Sequence, residues 1–164
     1  MFKLKIIIPV LLIAIVGCSQ KVHNSGIGNI SKKPGDSLFV TLAMKNLIQA
    51  GEKINLRFVV HNNNSMGKSF CKWHTPFEPL MSNYLDIKDE NGKEAVYKGP
   101  VAKRIMPPIS DNYLFVNPKD TLVSIIDLSK GYQFEAGKKY TISYNSSIIS
   151  GIKSSNTASF IMQQ

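Results

Sequence analysis

From Lys53 the chain alternates: Ile54, Leu56, Phe58 and Val60 fall on one face of an extended segment, and Lys53, Asn55, Arg57 and His61 on the other. A period of two predicts a strand with one buried face. The same period recurs at Leu38, Val40, Leu42 and Met44, from Leu122 to Ile126, at Tyr140, Ile142 and Tyr144, and at Ala158, Phe160 and Met162. A helical period is nowhere sustained. Turn residues punctuate these runs. Asn91-Gly92 separates the runs ending at Lys88 and starting at Glu94, and both residues tolerate the positive φ of a type I′ hairpin. Pro118 presets a turn before the Leu122 run, and Gly137 serves the connection into Tyr140.

Eight or nine short strands with regular turns predict an all-β chain, an immunoglobulin-like antiparallel β-sandwich over residues 37–164. Trp73 follows the Lys53–His61 strand at the place where such sandwiches bury a tryptophan. Tyr140 opens a late strand, as a tyrosine corner does. Trp73, Cys71 and Tyr140 are therefore the expected core landmarks.

One apolar run has a different meaning. Ile6 to Val16 is about half the length of a membrane-spanning helix and contains Pro9. Lys3 and Lys5 stand before it and small Gly17 after it, the layout of a secretory leader over residues 1–17. Ile15, Val16, Gly17 and Cys18 resemble the lipobox of bacterial lipoproteins. The resemblance implies cleavage before Cys18, a diacylglycerol on its thiol and an acyl chain such as palmitate on its new amine. Each buried methylene would add about 0.8 kcal/mol, so two or three chains hold firmly. The expected location is the bacterial cell envelope, bound to a membrane through Cys18, with the leaflet open. Residues 18–36, rich in Ser, Asn, Gly and Lys, read as a tether.

Composition narrows the function classes. The chain carries 20 Lys and Arg against 11 Asp and Glu, a formal charge of +9. The cations are scattered, with no arginine-rich run or aromatic RNA-binding signature, so nucleic acid is not an expected partner. With Cys18 lipidated, Cys71 is the one remaining thiol and no intrachain disulfide can form. Cys71 and His74 form a C-x-x-H pair near His61, but strand positions three apart face opposite ways. That geometry sends Cys71 with Trp73 inward and His74 with Lys72 outward, so neither a metal nor another cofactor is expected. No H-E-x-x-H, G-x-S-x-G, phosphate loop or S-x-x-K occurs. Asp89 and Glu90 read as solvated turn residues rather than an acid/base pair.

The segment GPVAKRIMPPISD, residues 99–111, departs from the regular turns. Structureless connections of this length are uncommon and often functional. Pro100, Pro107 and Pro108 restrict its freedom, and Gly99, Lys103 and Arg104 complete a candidate preorganised basic loop that docks into a partner. The alternative is a crossover strut between sheets.

A wider resemblance runs through KWHTPFE (72–78), YKGPVAKR (97–104), Asp111 with Tyr113, VSIIDLSKGY (123–132) and KYTISY (139–144). In order and spacing these resemble the β-sandwich domain that precedes the catalytic domain in bacterial zinc proteases of the deuterolysin and peptidyl-Lys metallopeptidase family, the aspzincins. The likeness covers about residues 37–162, with Trp73, Pro76, Tyr97, Gly99, Pro100, Lys103 and Arg104 at matching positions. Neither the H-E-x-x-H helix nor the downstream aspartate of those enzymes is in the sequence. The resemblance therefore implies a non-catalytic, protease-associated module rather than an enzyme. Two classes stay open: a lipid-anchored binding module that engages or inhibits a secreted metalloprotease, and a structural envelope lipoprotein that packs against other envelope proteins.

Overall fold

A computed structural model of the chain describes residues 37–164. The leader of residues 1–17, Cys18 and the stretch 18–36 lie outside the described residues. In chain order the strands are β1 (Phe39–Met44), β2 (Leu47–Ile48), β3 (Asn55–His61), β4 (Lys68–Cys71), β5 (Leu85–Asp89) and β6 (Val96–Tyr97). They continue as β7 (Tyr113–Val116), β8 (Thr121–Asp127), β9 (Tyr132–Gln133), β10 (Lys139–Tyr144), β11 (Lys153–Ser154) and β12 (Ala158–Met162). A single α-helical turn, α1 (Ser147–Ser150), interrupts the connection from β10 to β11.

Two four-stranded sheets face each other, one ordered β11-β1-β3-β8 and the other β2-β12-β10-β5. This is the immunoglobulin-like sandwich. The pairings are antiparallel except β1 with β11 and β12 with β2. The first extended segment is thus divided: β1 joins one sheet and β2 the other, which stitches the two together. Leu38, Val40 and Leu42 from the β1 segment and Leu56, Phe58 and Val60 from β3 are buried against Leu85, Ile87, Tyr140, Ile142, Tyr144 and Phe160 of the other sheet. Phe58 and Tyr144 meet edge to face across the layers at 5.2 Å. The period-two pattern is what aims these side chains at one another.

Edges are managed locally. Beyond the short β11, the Asn156 side chain accepts the Leu42 N–H at 2.8 Å and donates to the Leu42 carbonyl at 2.9 Å, standing in for a paired strand residue. In β8, Leu122 and Ile126 turn inward while Val123 and Ile125 face out. Tyr140 is buried, and its hydroxyl accepts the Glu135 N–H at 2.9 Å, tying the start of β10 back to the preceding corner.

The hairpin after β5 corrects two expectations. Gly92 alone takes a positive φ, +81°, whereas Asn91 does not. Gly92 N–H reaches the Asp89 carbonyl and Asp89 N–H the Lys93 carbonyl, so the connection is a three-residue turn with a glycine bulge, not a type I′ turn. The cause is Asp89. Its Oδ1 accepts the N–H groups of Asn91 and Lys93 at 3.0 and 2.9 Å, and its Oδ2 pairs with Lys138 Nζ at 3.1 Å. Asp89 is accordingly buried rather than solvated. Burial works against its ionisation, yet the Lys138 ammonium and the two N–H groups outweigh it and hold the carboxyl below the usual carboxylate range.

Candidate functional site: a clamped loop

The sequence between β4 and β5 builds a platform. The strand ends at Cys71, and the chain turns at Lys72–Thr75 with His74 in the left-handed region at φ +58°. Thr75, fully buried, donates its hydroxyl to the Lys72 carbonyl at 2.6 Å, and Glu78 Oε1 accepts the His74 N–H at 3.0 Å. The strict in-out alternation expected through His74 therefore stops at Cys71. Trp73 is buried because the turn folds it back, not because a strand points it inward. Cys71 is buried too, and burial pushes its thiol up, away from the reactive thiolate. His74 is pushed down by burial, and His61 is occupied by a 2.7 Å hydrogen bond with Thr41 and by stacking on Phe39. No group of three His, Cys, Asp or Glu able to hold a metal occurs among the described residues.

The segment after β6 is fastened to this platform at several points. Tyr97 donates its hydroxyl to the Pro100 carbonyl at 2.8 Å, and its ring lies so close to Gly99 that a Cβ there would fall 2.4 Å from the hydroxyl. A side chain at position 99 would have to push the Tyr97 ring aside. Ala102 N–H bonds the Met81 carbonyl at 2.8 Å. Arg104 Nη2 meets Glu78 Oε1 at 2.6 Å, and the guanidinium lies over the Trp73 ring, 5.1 Å from its centroid. Past the tip, Asn112 accepts the Lys72 N–H through its carbonyl and the Trp73 indole N–H through its side chain, at 2.8 and 3.0 Å. Seven residues, Ile105 to Asp111, are left spanning two clamps.

Those residues point outward. Ile105 is 87% exposed, Met106 64% and Ile109 65%, with Val101 at 75% on the approach. Beneath them lies a groove of about 370 Å³ between Trp73, Arg104 and the Ile105–Ile109 segment. Lys103 is exposed at its rim. Pro107 follows a cis peptide bond from Met106, and Pro108 is half-buried.

This corrects the expectation that Lys103 and Arg104 are presented together. Lys103 faces solvent, but the Arg104 side chain is 24% exposed and committed to Glu78, itself 7% exposed. Arg104 is a fastening, and the tip beyond it is aliphatic. Sequence reasoning missed Glu78 and Asn112 as clamp residues and Ile105, Met106 and Ile109 as the presented face. The available signal was the run I-M-P-P-I, apolar residues locked among prolines where a solvated loop would be polar. No family model matches the chain, and none of the curated proteins matches it.

Proposed function

We propose that this chain is a lipid-anchored envelope protein whose immunoglobulin-like sandwich is a non-catalytic binding module, with the loop from Gly99 to Ile109 as its docking element and a secreted metalloprotease as its partner. The observation that carries the reading is the clamp. A surface loop with no task would not hold Ile105, Met106 and Ile109 in water between fastenings at Met81, Glu78 and Asn112. Apolar side chains presented from a restrained backbone lose little entropy on docking and gain by burial, which is how loops at the rim of a sandwich bind tightly. The protease assignment comes from the aspzincin resemblance, and the anchor from the lipobox ending at Cys18.

Two experiments test these parts separately. Cys18→Ala should abolish lipid labelling and leave the chain soluble or as a precursor; unchanged detergent-phase partitioning of that variant refutes the anchor. Secreted metalloproteases of the same organism should bind the intact protein or be inhibited by it, and Ile105→Asp with Met106→Asp should lose that effect. Full retention by the double variant refutes the docking role of the loop.

A further inference from the structure

The two ends of the sandwich differ in a way the docking loop does not explain. Register defines one end as a row across the first sheet: Lys153 beside Phe39, Phe39 beside His61, His61 beside Thr121. Beyond that row lie the Asn62–Gly67 connection, the Asn117–Asp120 turn and the segment carrying α1, together with the point where the chain enters at Ser37. Ile148, in α1, is 94% exposed, more than any other large apolar side chain among the described residues, and Met66 is 67% exposed. Lys119, whose ammonium donates to the Asn63 carbonyl, and exposed Lys153 belong to the same end. Asp120 is the one acidic residue in these connections, and Asp86, one residue into β5, is engaged by the Asn145 amide at 2.7 Å. The far end, past Asn55 and Asp127, instead sets its carboxylates in ion pairs with lysines: Glu52 with Lys45, Asp89 with Lys138, and Glu135 with Lys93 and Lys138.

We infer that the Ser37 end of the sandwich is a membrane-contacting surface, with Ile148 and Met66 seated in the interface of an anionic bilayer and Lys119 and Lys153 over its headgroups. The inference rests on the lipid-anchor reading, because the residues that lead back to Cys18 meet the domain at this end and no other. Exposed aliphatic side chains at an end that also carries Lys119 and Lys153 match the apolar boundary and negative surface potential of a bilayer containing anionic lipids. A contact of this kind fixes orientation: it leaves the Gly99–Ile109 loop, which is fastened to a different part of the molecule, free for a protein.

The test uses the mature lipidated chain in vesicles of phosphatidylethanolamine and phosphatidylglycerol, spin-labelled at Ile148→Cys or, as the far-end reference, at Glu90→Cys. Cys71 is buried and does not compete for label. Position 148 should collide with dissolved oxygen freely and with a water-soluble nickel chelate several-fold less than position 90. Lys119→Glu with Lys153→Glu should restore nickel access at 148. Equal nickel access at the two positions in a chain that floats with the vesicles overturns the inference alone. Shielding at 148 that survives the charge reversal overturns the role of the lysines. A chain that does not float removes the anchor reading and the inference with it.

Discussion

Two connections in this molecule are each organised by a carboxylate withdrawn from solvent, and they use it to opposite ends. In the hairpin after β5, Asp89 takes its partners from within four residues along the chain, plus Lys138, and closes the turn on itself. At the long loop after β6, Glu78 of the β4–β5 connection accepts the His74 N–H and takes a partner 26 residues away, Arg104, fastening the base while Ile105, Met106 and Ile109 stay uncovered. The hairpin uses its polar groups to complete the sandwich. The loop uses them to hold apolar groups outside it. Each carboxylate takes N–H donors of its own turn and one distant cation; the cation of Asp89 closes a hairpin into the sandwich, and that of Glu78 pins a segment that presents a surface.

The largest break in this comparison is expected at Trp73, on which Arg104 rests. Trp73→Ala removes a buried ring and the floor of the groove, and should cost about 3 to 5 kcal/mol, read by denaturant unfolding. For a domain of roughly 5 to 15 kcal/mol total stability, much of the protein would then unfold at elevated temperature. An unchanged unfolding midpoint would show that the ring is dispensable to the fold.

Arg104→Ala comes next. It strands the nearly buried Glu78 carboxylate and should cost about 3 kcal/mol, whereas Lys103→Ala should stay within about 0.5 kcal/mol. Equal effects of the two substitutions would erase the distinction between fastening and rim. Glu78→Gln with Arg104→Ala should recover part of the loss, because the unpaired charge is gone.

The hairpin gives a smaller, pH-dependent effect. Since the Asp89 carboxyl is held below its ordinary value near 4, its ionised form contributes stability that is fully present above about pH 4 and is lost as pH falls through the folded value. Asp89→Asn should therefore lower stability at neutral pH and flatten the acid limb of the stability profile. An acid limb identical to wild type would show that the carboxylate is not the turn's organiser.

These contrasts also explain what could be read in advance. The strands were legible because alternation is a local signal: Leu56, Phe58 and Val60 announce their shared face within five residues, and all three are buried. Tyr140 was legible for the same reason, as an aromatic at the start of such a run. The hairpin was half legible. Asn91-Gly92 marks a turn at the right place, but the turn type depends on what the Asp89 side chain captures, and residue preference does not report that. The clamp was not legible at all, because Glu78, Arg104, Trp73 and Asn112 are brought together by the path of the chain between sheets and by no spacing along it. Arg104 next to Lys103 reads as a surface pair until the fold shows one cation over an indole and the other in solvent.

The central claim is that the clamped loop presents its aliphatic tip for binding while contributing little to the fold. It is tested most directly by a paired measurement on Ile105→Asp with Met106→Asp: thermal unfolding, and binding to or inhibition of the organism's secreted metalloproteases. Stability within about 0.5 kcal/mol of wild type together with lost binding is the predicted result, because exposed side chains contribute little to folding. Destabilisation with undiminished binding per folded molecule would make the loop a strut of the sandwich and contradict the claim.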